Sequence, residues 1–198
     1  MILAVSLNPA LDVTHHVPGV DWSGVNRPRQ VTVTPGGKAL NVARTLRALG
    51  GEVLVIGLTG GVTGEAVQAG LTGSGIPGRF IPIAGETRRT FAVVDTRSHD
   101  AALFNEPGPA ISDGEYREFL VLHDDALAGC EAVVLSGSLP PGLPPDTYAG
   151  LAARAAWPCR AAVTRWPNWS WCSGWPPRWR GPAAWTPTGR VTSTGRSS

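Results

Sequence analysis

Three short apolar runs constrain this chain more than any other feature. Ile2-Leu3-Ala4-Val5-Ser6-Leu7, Val53 to Leu58 and Ala132-Val133-Val134-Leu135 are nearly continuous in apolar residues, the pattern of strands buried on both faces. Each runs into small and polar residues: Asn8-Pro9, Gly60-Gly61-Val62-Thr63-Gly64 and Ser136-Gly137-Ser138. Helical patterns stand between them. Lys38 to Leu49 places Leu40, Ala43 and Leu46, with Val42 and Leu49, on one stripe before Gly50-Gly51 stops it. Ser112-Asp113-Gly114-Glu115 has capping-box spacing and opens a helix through Leu127. Buried strands alternating with helices predict an α/β fold. In open α/β sheets ligands collect outside the carboxyl ends of the strands. Asn8 to Asp12, Gly36-Gly37 and Gly137-Ser138 are therefore expected to converge on one crevice.

A second group of segments is β-like but half exposed. Val13-Thr14-His15-His16-Val17 and Gln30-Val31-Thr32-Val33-Thr34 alternate and are rich in β-branched residues. Phe80-Ile81-Pro82-Ile83, Thr90 to Asp95 and Ala101 to Phe104 continue the pattern. Together they predict a small sheet separate from the main one.

Pro35-Gly36-Gly37-Lys38-Ala39-Leu40-Asn41-Val42-Ala43-Arg44 joins the two groups, a paired-glycine turn running straight into an amphipathic helix. Glycine lets backbone approach a ligand without Cβ obstruction, and the orphan N–H groups of a new helix favour an anion. Lys38 adds a point charge and Asn41 an amide that both donates and accepts. Taken alone, the motif fits equally a turn that merely starts a helix.

Its neighbours narrow the reading. Ser6-Leu7-Asn8-Pro9-Ala10-Leu11-Asp12, Pro35 to Arg44, Gly85-Glu86-Thr87-Arg88, Asn105-Glu106-Pro107-Gly108-Pro109 and Ser136-Gly137-Ser138-Leu139-Pro140-Pro141-Gly142 occur in this order. In that order they resemble motifs of the PfkB (ribokinase-like) family of sugar kinases, in particular its 1-phosphofructokinase and tagatose-6-phosphate kinase branch. Ala39 stands where that family usually has Gly. The resemblance covers roughly residues 1–155 and implies a ribokinase-like three-layer core, here incomplete, with a small β-sheet lid that also serves as a homodimer contact. It implies ATP-dependent phosphorylation of a hexose phosphate, fructose 1-phosphate or tagatose 6-phosphate.

The site residues implied are Asp12 for the sugar hydroxyls, Gly36, Gly37, Lys38 and Asn41 in the turn, Arg88 and Arg27 for the substrate phosphate, and Ser138 for the sugar. Read from the residues alone, Asp12 fits an Asx-type cap after Pro9, Arg27 an exposed loop charge and Ser138 turn chemistry. The resemblance also implies ATP and Mg2+. The family draws its catalytic base from a Gly-Ala-Gly-Asp motif and its magnesium ligation from an Asn-x-x-Glu motif, and neither occurs in this sequence. The expectation is a chain without its own catalytic residue or metal site. An alternative is a non-catalytic sugar-phosphate-binding fragment or pseudoenzyme.

Composition breaks near Ala156. Seven of the eight Trp fall at 157, 166, 169, 171, 175, 179 and 185, and no Asp or Glu follows Asp146. Residues 1–156 hold 11 basic and 15 acidic groups, and residues 157–198 hold six Arg and no acid, which together give the net +2. A segment rich in Trp, Arg, Pro, Gly and Ala without apolar periodicity reads as a GC-rich frame translated out of register. Two parts are thus expected: residues 1–156, the amino-terminal part of the kinase domain with its lid strands, and residues 157–198, a non-homologous, disordered tail with no strand pattern. Interleaved Trp and Arg also suit stacking on bases or a membrane interface. Pro at 158, 167, 176, 177, 182 and 187 and the lack of helical periodicity count against both, so neither nucleic acid nor membrane is expected as partner. No run reaches the ~18 apolar residues of a membrane span, and Met1 to Leu7 lacks a basic flank, so the expected location is the cytoplasm. Three Cys without metal spacing give neither a disulfide framework nor a zinc site, and His15, His16, His99 and His123 show no ligand spacing.

Overall fold

The amino-terminal run becomes β1 (Ile2–Ser6), which pairs in parallel with β4 (Val53–Thr59) on one side and β8 (Ala132–Ser136) on the other. The computed structural model describes residues 1–155 and 160–164. Among these, β5 (Gly78–Pro82) adds beyond β4 and β9 (Arg160–Thr164) beyond β8, giving a parallel sheet in the order β5-β4-β1-β8-β9.

Side chains of a strand alternate between faces, and both faces of this sheet are covered. Ala4, Val53 and Val55 pack with Leu40 and Ala43 of α1 (Lys38–Ala48) and Val67 and Leu71 of α2 (Gly61–Gly73). Leu3, Val5, Ile56, Leu58, Val133 and Leu135 pack on the opposite face with Phe119 and Leu122 of α3 (Asp113–Leu127) and Tyr148 and Leu151 of α4 (Thr147–Ala155). Each fully buried Leu or Val contributes about 1.5–3 kcal/mol, which makes the one-residue register of β1 strongly specified. The result is a helix, sheet, helix arrangement.

Leu7, Asn8 and Pro9 carry the chain out of this sheet into a second one. β2 (Ala10–Val17) pairs antiparallel with β3 (Gln30–Gly36) and parallel with β6 (Arg88–Asp95), which pairs antiparallel with β7 (Ala101–Asn105). The order is β3-β2-β6-β7. The separate small sheet expected from the sequence is present.

Three expectations are corrected. Phe80-Ile81-Pro82 lies in β5 of the main sheet, not in the small one, because Phe80 and Ile81 pack against the two main cores. An edge strand of either sheet is half exposed, so periodicity does not separate the two. Leu49 is 79% exposed and sits at the carboxyl-terminal cap of α1, past the point where its stripe meets the sheet. One helix start was not anticipated: the Gly60 to Gly64 segment opens α2, which carries Gly61, Gly64, Gly70 and Gly73, and these weaken its helical signal in sequence. Close packing explains two of them, since a Cβ at Gly70 would meet Pro35 at 2.5 Å and one at Gly64 would meet the Thr87 hydroxyl at 3.0 Å. Finally, Arg160–Thr164 forms a strand pairing with all of β8, where no strand pattern was expected. The other expectations for the Trp-rich segment lie outside the described residues.

Candidate functional site

The chain crosses from one side of β1 to the other between β5 and β8, so the carboxyl ends of β1 and β8 form a topological switch point. A cavity of about 900 Å³ opens there, between the main sheet, the start of α1 and the small sheet.

The paired-glycine turn forms one wall. Gly37 takes φ 107, a left-handed conformation that a side chain would strain, and its carbonyl accepts the first bond of α1 from Asn41 N at 3.0 Å. Gly37 at the N-cap of α1 has no side chain to cap the helix, and Gly37, Lys38 and Asn41 all line the cavity. Arg44, one turn further along, donates to the Pro35 carbonyl and ties the helix back to the turn.

Asp12 enters from β2, in register with Thr34 on one side and Thr90 on the other. Burial pushes its carboxyl above the usual range, opposed by the Thr90 hydroxyl and by the charges of Arg88 and Arg44. Gly36 does not line the cavity but makes room for this carboxylate, since a Cβ there would sit 2.1 Å from Asp12 Cγ.

Arg88 is the first residue of β6, opposite Ala10. Its Nε donates to the Asn8 carbonyl and its Nη1 to the Glu106 carbonyl, both at 3.2 Å. Burial draws its pKa below the ordinary guanidinium value while the charges of Asp12 and Glu106 oppose, and the guanidinium remains charged throughout. Among the described residues Arg88 has no direct ion pair: the ion pairs formed are Met1–Glu131, Arg79–Asp125, His123–Asp124 and Arg154–Asp124. A cation held in place by two carbonyls, with donors to spare, suits an oxyanion.

Asn8 also lines the cavity, a residue to which its sequence motif assigned no individual role. It is 6% exposed, and its Nδ2 donates to the Pro107 carbonyl at 2.9 Å and to Ser138 Oγ at 3.2 Å. Gly108, at φ 97, leaves space that a Cβ would close to 2.3 Å from Asn8 Oδ1. One amide thus ties the ends of β1 and β8 to the loop after β7. The only signal for it in sequence was its place directly after a buried strand. Thr90 and Glu106 likewise line the cavity.

The structure therefore brings Asp12, Gly37, Lys38, Asn41, Arg88 and Ser138 to one cavity, with Gly36 directly behind Asp12. It does not bring Arg27 there: Arg27 lies in the exposed connection between β2 and β3, whose residues 21–29 are all exposed. Among the described residues no group of three His, Cys, Asp or Glu side chains comes together as a metal site, and no helix is long and apolar enough to cross a membrane.

A family model described as pfkB family carbohydrate kinase matches residues 7–174, beyond the break in composition at residue 156. Phosphofructokinase-2 from Escherichia coli, in complex with fructose-6-phosphate, is 29% identical with TM-score 0.74, covering 83% of this chain and 54% of that one. A tetrameric inhibited form of the same enzyme gives 29%, TM-score 0.73, and coverage of 83% and 54%. A Thermotoga maritima protein described as a possible 1-phosphofructokinase is 29% identical with TM-score 0.78, covering 83% and 53%. The chain spans about half the length of these solved structures.

Proposed function

Because the chain belongs to the pfkB family of carbohydrate kinases, we propose that its cavity binds a phosphorylated hexose as the acceptor of an ATP-dependent phosphoryl transfer. The observation that carries this is the Arg88 guanidinium, held at the cavity by two main-chain carbonyls and by no carboxylate. Arg88 and Lys38 take the substrate phosphate. Asp12 orients the hydroxyls, aided by Asn41 and Ser138. Gly36 and Gly37 give the sugar its closest approach to backbone. Fructose 1-phosphate and tagatose 6-phosphate are the substrates implied by the sequence resemblance, and fructose 6-phosphate joins them from the complex of the Escherichia coli phosphofructokinase-2.

Phosphoryl transfer needs an oriented acceptor, a magnesium-bound nucleotide, charge stabilisation and a base. The described residues supply the first of these. They do not fit Mg2+: of the two cavity carboxylates, Asp12 bonds to Thr90 and Glu106 Oε2 accepts from Arg89 N at 2.7 Å, with no third acidic group beside them. The sequence after Asp146 contains no carboxylate to complete such a set. We therefore assign to these 198 residues the acceptor half of a kinase site, binding the hexose phosphate without transferring phosphate to it.

Calorimetric titration of the full chain with the three hexose phosphates and with fructose tests the reading. Saturable heat for one phosphate ester, much weaker heat for fructose, and no product with ATP and Mg2+ are expected. Equal affinity for fructose and its phosphates would remove the phosphate assignment. Turnover of a hexose phosphate would remove the assignment of a non-transferring half-site.

A further inference from the structure

The segment immediately before Arg88 is built against the amino terminus of α2. Thr87 is 3% exposed; its Oγ1 accepts from Gly60 N at 2.8 Å, and its own amide donates to the Gly60 carbonyl at 2.9 Å. Glu86 reaches over the same helix end, where its Oε1 accepts from Thr63 N at 2.7 Å. Two glycines make the cradle. A Cβ at Gly60 would fall 2.2 Å from the Gly85 carbonyl oxygen, and one at Gly61, which takes φ 64, would fall 1.7 Å from Glu86 Oε2. The amino terminus of α2 is thus filled by a carboxylate of its own chain. Hydrogen bonds from Thr63 hold that carboxylate below the usual range.

On the other side of Arg88 a second clamp closes. Arg89 N donates to Glu106 Oε2 at 2.7 Å, and Glu106 N donates to the Arg89 carbonyl at 3.3 Å. Arg88 is the one residue between these clamps, and its backbone position decides whether the guanidinium reaches the Asn8 and Glu106 carbonyls that aim it.

We propose that Glu86 and Thr87 are positioning residues for Arg88, the clamp on α2 setting where its guanidinium stands in the cavity. Neither residue lines the cavity, so any effect on a ligand passes through Arg88. The ligand part of the inference rests on the hexose-phosphate reading; the positioning part does not.

Two measurements on the full chain separate them. The Arg88 Nε–H resonance, assigned by its loss in Arg88→Ala, reports the bond to the Asn8 carbonyl without any ligand. Glu86→Ala and Thr87→Val are expected to shift it and speed its exchange, with Glu86→Gln and Thr87→Ser close to wild type because each keeps its acceptor oxygen. The second measurement is the ratio of affinities for fructose 6-phosphate and fructose. Glu86→Ala and Thr87→Val should lower that ratio by about tenfold, the low end for one charged hydrogen bond, and should add nothing in an Arg88→Ala background. An unchanged Nε–H signal in folded Glu86→Ala overturns positioning, as does an effect additive with Arg88→Ala. A responding signal in a chain that does not prefer the phosphate ester leaves positioning in place and removes the hexose-phosphate reading. Should Thr87→Val fail to fold, the exposed Glu86 pair decides alone.

Discussion

At the residue scale the proposed site turns on Arg88 and Asp12, each supported by its own neighbours. Arg88→Ala is expected to weaken hexose-phosphate binding by about 1.5–3 kcal/mol, the range for a hydrogen bond to a charged group, measured by calorimetry against fructose as control. Gly36→Ala tests the other half. Its backbone does not need positive φ, but the new methyl collides with the Asp12 carboxylate, the mobile end of a side chain. The carboxylate must move while the fold survives. A loss of about tenfold or more in sugar affinity is expected, with a melting temperature close to wild type; a large fall in melting temperature with affinity intact would count against this account. Six of the eight residues singled out from sequence line the cavity, and each sits in a turn, a strand or the first turn of α1 whose local chemistry is visible in its own motif. Asn8 was not legible as a tie, since its partners are 99 and 130 residues away. Gly36 was chosen as a ligand contact, whereas its structural work is to leave space for Asp12, a partner no local pattern reveals.

At the element scale, α3 carries a conditional weakness. His123 has a fully buried side chain packed on Phe119; its Nδ1 lies 3.3 Å from Asp124 Oδ1, and among the described residues its Nε2 has no hydrogen-bond partner. Burial lowers its pKa below 6.5, against Asp124, which raises it, while Arg154 from α4 adds to the lowering. The unfolded chain therefore binds this proton at higher pH than the folded one. Stability is full above about pH 6.5 and falls as pH drops from there through the lowered folded value. His123→Leu removes both the proton and the unpaired nitrogen, so it should raise the melting temperature more at pH 5.5 than at pH 8. An equal change at both values would assign the effect to packing alone. The cap that starts this helix was legible, with Ser112 Oγ accepting from Glu115 N at 3.3 Å and Glu115 Oε2 accepting from Ser112 N at 2.7 Å. α2 was not, because four glycines blur a helix whose close approach to Pro35 and Thr87 requires small residues. β5 was recognised as a strand and placed in the wrong sheet, since strand pairing is a long-range choice that a five-residue pattern leaves open.

For the whole molecule, the two sheets differ in what they leave open. The main sheet is covered on both faces, by α1 and α2 on one and α3 and α4 on the other, a closure the alternation of apolar runs and helices made legible. The small sheet has two edges, β3 and β7, and both carry exposed apolar side chains. Val31 and Val33 are 50% and 53% exposed, and two residues apart on one strand they share a face. Leu103 and Phe104 on β7 are 66% and 54% exposed. An edge strand with apolar side chains is a template for another chain unless something covers it. A second copy of this chain, docked through the small sheet, is the cover we propose. Sedimentation of the wild-type chain should then give a dimer at micromolar concentration, and Val33→Asp, which puts a charge at the centre of that face, should give a monomer with its thermal melt preserved. A wild-type chain that stays monomeric at all concentrations, or a Val33→Asp variant that stays dimeric, would mean that the small sheet is not the contact.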